Sequence, residues 1–126
     1  MSFTIEIRRG TDSGTLTFEN AGTSVNTPCW WDPEVKVDPG TYTGYATRMA
    51  SKTDGRDGLN REAIWLGQHV PVNGNSRTSN EIFIHKGKNA GWSDGCIVCD
   101  SDEVLRIWDA VEPKEQGVIT VNVMDE

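Results

Sequence analysis

Positive charge is scarce in this chain. Its 126 residues carry 12 Lys and Arg against 19 Asp and Glu, a net charge of −7 with His neutral. No basic cluster offsets that balance, which excludes a general binder of phosphate backbones, and no nucleic-acid partner is expected. No apolar run approaches the roughly 18 residues that a membrane-spanning helix needs, so no membrane partner is expected either. The opening Met1-Ser2-Phe3-Thr4-Ile5-Glu6 has neither a basic stretch nor an apolar core, so no ordinary secretory signal is read there and synthesis in the cytoplasm is expected. Cysteine occurs three times, as Cys29, Cys96 and Cys99. An odd number without a signal argues against a disulfide framework. The length fits one domain over residues 1–126, able to bury roughly two thirds of its unfolded surface without staples.

What is present is mostly strand patterning. Phe3, Ile5 and Ile7 alternate with polar residues, Gly10 to Gly14 is turn chemistry, and Leu16 and Phe18 alternate again, so residues 2–20 predict a hairpin. Residues 25–31 and Thr41 to Thr47 read as further strands. Residues 51–61 read as a polar loop, either a lid or a solvated connection, and 71–80 as a second loop around Asn73-Gly74-Asn75-Ser76. Between them Ala63 to Leu66 reads as a short strand. Ile82-Phe83-Ile84 is a short apolar run, as expected of a strand buried on both faces. One helix is predicted after Cys99, with Asp100 as N-cap, Glu103 completing a capping box, and Val104, Leu105, Ile107, Trp108 and Val111 on one face before Pro113 stops it. Ile119, Val121 and Val123 close the chain as an alternating strand. Trp30, Trp31, Trp65 and Trp108 read as core. The fold class is mainly β (α+β), a sandwich or barrel with one main helix.

The segment 82–99 carries the chemistry. His85 ends an apolar strand, and Cys96 follows eleven positions later behind Gly95. A strand that fixes an imidazole and a turn that exposes a thiol suit a nucleophile with its base. A nearby helix N-terminus and a protonated His would favour the thiolate that does the attacking. The Gly95 and Cys96 backbone N–H groups are candidates for stabilising an oxyanion. The residues alone leave other readings open. His85 and Cys96 would equally suit a core histidine beside a buried cysteine. Cys96-Ile97-Val98-Cys99 is also a C-x-x-C, but it lies late in the chain and outside a βαβ setting. Zinc deamination lacks its Glu, since Gly87 stands there, and a structural zinc site would need a fourth ligand such as His69, Cys29 or Asp94. His69, beside Val70-Pro71, reads as a solvated loop residue.

The apolar strand into Ile84-His85-Lys86-Gly87, the later Ser93-Asp94-Gly95-Cys96-Ile97, and the upstream Val37-Asp38-Pro39-Gly40-Thr41-Tyr42 together resemble the L,D-transpeptidase (YkuD-type) catalytic domain. The likeness is greatest to short relatives without a signal, found in phages and secreted effectors. The resemblance implies Cys96 as nucleophile, His85 as base, and Ser93 and Gly95 as the motif residues ahead of the thiol. It implies a backbone carbonyl near Lys86 or Gly87 as the group that orients the imidazole. Trp92, Asp94, Lys86 and Gly87 are the candidate substrate-facing residues, with Lys88 and Arg48 further possible partners for a carboxylate. Two positions depart from the family pattern: Asp94 stands where many members have His, and Val98 where many have Arg or Asn. Asp94 turned inward would raise the thiol pKa, so it is expected to point outward. The implied substrate is a peptidoglycan stem peptide, with the thioester resolved by an amine or by water, and with no cofactor and no metal. A delivery or immunity protein is a further partner, and a secretion system or phage lysis the route to the periplasm. The departure at Val98 keeps a second reading alive, a non-catalytic cell-wall-binding or structural module with a vestigial site.

Overall fold

Alternating apolar residues build most of the molecule into one curved sheet. The computed structural model describes residues 2–20, 22–89, 91 and 96–126. In chain order the elements are β1 (Phe3–Arg9), β2 (Gly14–Asn20), β3 (Thr23–Trp31), β4 (Gly40–Met49), β5 (Arg61–Trp65), β6 (Val70–Val72), β7 (Arg77–Ser79), β8 (Phe83–Lys86), β9 (Ile97–Cys99), α1 (Ser101–Ala110) and β10 (Ile119–Asp125). Eight strands close a barrel in the order β1-β10-β4-β5-β8-β9-β3-β2, while β6 and β7 form a separate hairpin. The mainly β barrel with one helix is the architecture that the patterning predicts.

Period-two alternation decides which residues enter the barrel. Ile5 and Ile7 on β1, Leu16 and Phe18 on β2, Ile64 on β5, Ile84 on β8 and Val121 on β10 share the buried core. Full burial of each such side chain is worth about 1.5–3 kcal/mol. Close strand approach also selects for Gly44, where a Cβ would lie 2.2 Å from the Trp65 carbonyl oxygen. Helix α1 packs against β3, β5 and β8 and sends Val104 and Ile107 into the same core.

Several expectations change in detail. Residues 71–80 are not a plain loop: Val70 pairs with Ser79 and Val72 with Arg77 across a hairpin. Asn73, Gly74 and Asn75 all take positive φ at its turn, the conformation that Asn and Gly tolerate best. The loop after β4 ends one residue early, because Arg61 already pairs with Met49 in the sheet. A strand of three residues, β9, precedes the helix and was not evident from so short an apolar run. Asp100 caps α1 by accepting from the Asp102 N–H at 3.2 Å, but Glu103 pairs with Arg106 at 3.2 Å, so the capping box is not completed. Of the four tryptophans read as core, only Trp31 is buried; Trp30, Trp65 and Trp108 are half-buried. For two of these the indole N–H needs an acceptor near the surface: Trp65 donates to the Asn80 carbonyl and Trp108 to the Thr47 carbonyl, each at 2.8 Å.

Candidate active site

The site sits on the outer face of β5 and β8. Ile84 pairs with Ile64 on one side and with Ile97 on the other, and all three are core residues. Alternation therefore turns Phe83 and His85 away from the core, and on β5 it turns Arg61 and Ala63 to the same side. For this reason Phe83 is half-buried on a face where His85 is buried. Cys96 enters just ahead of β9. A cavity of about 370 Å³ is lined by Met49, Ala50, Ser51, Lys52, Arg61, Glu81, Phe83, His85 and Cys96. The structure thus brings the two principal sequence candidates, His85 and Cys96, to one cavity.

His85 is 3% exposed. Its Nδ1 lies 2.8 Å from the Lys86 carbonyl oxygen, an acceptor only, so Nδ1 carries the proton and donates. Nε2 is then left as the basic nitrogen. The pKa of His85 is lowered from its ordinary value. Burial is the main cause and the charges of Arg61 and Lys52 add to it, against the opposing pull of the Lys86 carbonyl and Asp54. The imidazole is therefore neutral at pH 7, as a base must be. The Cys96 thiol is 4% exposed, and its Sγ lies 3.7 Å from the Glu81 carbonyl oxygen.

Arg61 is the residue that sequence reasoning missed. It is 8% exposed, and its fork is held by Asp54: Nε to Oδ1 at 2.8 Å and Nη2 to Oδ2 at 2.7 Å. Its Nη1 stands 3.3 Å from His85 Nδ1. The hydrogen bond to Asp54 chiefly raises the Arg61 pKa, against desolvation, and the negative charge of an ionised Cys96 raises it further. In return Arg61 holds the Asp54 carboxyl well below the usual carboxylate range. The available sequence signal was the alternation Arg61-Glu62-Ala63-Ile64-Trp65, which puts Arg61 on the face opposite Ile64.

The loop between β4 and β5 is pinned, not a loose flap. Arg48 grips Asp57 at 3.0 and 2.9 Å, and Arg56 reaches Asp109 on α1 at 2.8 Å through both terminal nitrogens. Asp54 joins the loop to Arg61 and to Lys86, whose Nζ lies 2.7 Å from the Asp54 carbonyl oxygen. Lys86 and Gly87, expected to face substrate, are not brought to the cavity. Strand alternation turns Lys86 to the other side of β8 from His85, and the Gly87 N–H donates to the Cys99 carbonyl at 2.9 Å. Arg48 is likewise occupied by Asp57. The other expected site residues, Trp92, Ser93, Asp94 and Gly95, lie outside the described residues.

Two further expectations meet geometry. The α1 N-terminus was expected beside the thiol, but β9 intervenes. Cys96 and Ser101, the first residue of α1, line different cavities. The C-x-x-C is split, with Cys96 lining the cavity and Cys99 in the core opposite Cys29. All three cysteines are buried thiols. Among the described residues no group of His, Cys, Asp and Glu is placed to hold a metal, and no helix is long and apolar enough to cross a membrane. His69 is exposed, with its backbone N–H donating to Asn80 Oδ1 at 2.7 Å.

No curated protein and no solved structure matches the chain. A family model does: that of the L,D-transpeptidase catalytic domain, YkuD, aligns with residues 8–122. That span runs from the end of β1 into β10 and includes both His85 and Cys96, and the chain belongs to the YkuD family of L,D-transpeptidase catalytic domains.

Proposed function

We propose that this protein is a cysteine acyl-transferase or hydrolase of peptidoglycan stem peptides, acting at an L–D bond, with Cys96 as nucleophile and His85 as general base. Membership of a family of cysteine L,D-transpeptidases acting on peptidoglycan supports the reaction class. One observation carries the residue assignment: a neutral imidazole, its Nδ1 committed to the Lys86 carbonyl, shares a cavity with a cysteine.

In the proposed reaction His85 Nε2 takes the Cys96 thiol proton, and Sγ bonds to the carbonyl carbon of the scissile amide. Collapse of the tetrahedral intermediate breaks the C–N bond, and His85 returns the proton to the departing amine. A water or an acceptor amine, deprotonated by the same Nε2, then attacks the thioester and releases Cys96. The motif residues Ser93 and Gly95 are assigned to shaping the thiol's surroundings, and the Gly95 and Cys96 N–H groups to the oxyanion. A cell-wall substrate requires the protein to leave the cytoplasm, and we assign that step to a secretion system or to phage lysis.

Purified muropeptides incubated with the protein and followed by mass spectrometry test the proposal. Trimmed or exchanged stem peptides are expected from the wild type. Cys96→Ala should give none, and His85→Ala should be slower by about 10²–10⁴-fold. The same products at the same rate from Cys96→Ala would remove the assignment in favour of a non-catalytic wall-binding module.

A further inference from the structure

We propose that Arg61 is the charge partner of the Cys96 thiolate, a positioning residue locked in place from the β4–β5 loop by Asp54. The proposal rests on the reading of Cys96 as nucleophile, but not on the identity of the substrate.

A thiol at this depth needs a cation. Burial is the main cause that drives the other two thiols upward: Cys29 is pushed to about 12 even against the charge of Arg9, and Cys99 is raised by burial and by nearby negative charge. Cys96 is almost as enclosed, at 4% exposure. Val98, two residues on, is apolar and fully buried. Among the described residues two cations line the cavity, Lys52 and Arg61. Lys52 is exposed and screened by water. Arg61 is buried in a strand, and its orientation is fixed because Asp54 occupies Nε and Nη2.

That leaves Nη1 on the His85 side, 3.3 Å from Nδ1. Because Nδ1 already carries a proton for the Lys86 carbonyl, the two nitrogens are both donors and the contact is not a hydrogen bond. The guanidinium is held there by the fork on Asp54. Its charge disfavours an imidazolium and favours an ionised thiol. It lowers the cost of ionising the thiol, whose proton passes to His85 Nε2 as Sγ attacks and from there to the departing amine, and it favours the return of the imidazole to the neutral form that deprotonates the incoming water or amine.

The test is the pH dependence of Cys96 alkylation by iodoacetamide on the whole protein, with the labelled residue identified by mass spectrometry. In the wild type the rate should reach half-maximum below the ordinary thiol pKa of about 8.5. In Arg61→Gln the midpoint should rise by about one pH unit, a tenfold slower reaction at pH 7, and the His85 imidazole pKa read by NMR should rise too. Arg61→Lys, which keeps the charge, should restore much of the rate. A wild-type midpoint at or above 8.5 overturns the proposal without any variant, and so does a folded Arg61→Gln with an unchanged profile. Failure to process muropeptides alongside an Arg61-dependent profile would sink the substrate reading and leave this one standing. Turnover of muropeptides with a profile indifferent to Arg61 would do the reverse.

Discussion

Two buried arginines, Arg9 on β1 and Arg61 on β5, each stand near a buried cysteine, and the surroundings of the two pairs differ. Arg9 is fully enclosed. Its Nε donates to Asp125 at 2.7 Å, its guanidinium lies over the Trp31 ring at 5.6 Å, and Nη1 and Nη2 have no hydrogen-bond partner among the described residues. The charge of Arg9 pulls the Cys29 pKa down, yet desolvation still pushes that thiol up to about 12. A cation nearby is therefore not enough to make a buried thiol reactive. The Arg61 region adds what the Arg9 region lacks: a cavity that reaches the thiol, a carboxylate that grips the guanidinium through two nitrogens instead of one, and a neutral imidazole with a basic nitrogen to spare. Both regions follow from the same alternation, one turned into the barrel and one turned out.

The contrast can be broken most sharply at the thiols themselves. At pH 8 a group with the pKa of Cys29 is about one part in 10⁴ thiolate, and it is shielded as well. Native protein treated with limiting iodoacetamide should carry label on Cys96 more than 10³-fold ahead of Cys29 or Cys99, as counted by peptide mass spectrometry. Comparable labelling of Cys29 would erase the distinction. A smaller effect is expected in acid. The folded His85 pKa lies below its unfolded value, so the folded state binds fewer protons than the unfolded one as the pH falls. Its stability contribution is therefore intact above the ordinary histidine pKa of about 6.5 and is lost as the pH drops through the folded value. Urea midpoints should decline over that window in the wild type and decline less in His85→Gln. Parallel curves for the two proteins would place the loss elsewhere. The smallest effect is expected at Arg9. Arg9→Met removes two nitrogens that lack partners, while Asp125 keeps Lys36 at 3.4 Å and partial access to water. A gain of about 1 kcal/mol in unfolding free energy is expected, with Cys96 alkylation unchanged. A loss of several kcal/mol by denaturant titration would show that Arg9 is better compensated than its contacts indicate.

Local pattern carried a large part of this molecule. The β1–β2 hairpin, the last strand, the helix with its Asp100 cap, and the nearness of His85 and Cys96 at one cavity all follow from alternation, turn residues and one motif. The misses are equally local in origin. The hairpin at 70–79 was hidden because Val70-Pro71-Val72 and Arg77-Thr78-Ser79 are too short to show a period. β9 was hidden because three residues between a motif and a cap offer no alternation to count. Lys86 and Gly87 were assigned to substrate by nearness in sequence to His85, whereas strand alternation sends Lys86 to the opposite face and the Gly87 N–H is taken by the Cys99 carbonyl.

Sequence periodicity was enough for the fold class, because hydrophobic burial acts residue by residue and leaves its period in the chain. Motif chemistry was enough to single out His85 and Cys96, the two residues that line one cavity, because they lie in one short segment. Tertiary structure alone decided the rest of the site: that Arg61, 24 positions before His85, meets it across paired strands, that Asp54 holds Arg61 there, and that Cys96 faces the cavity while Cys99 faces the core. These depend on strand register and on long-range electrostatics, which act between residues that are neighbours only once the barrel has closed.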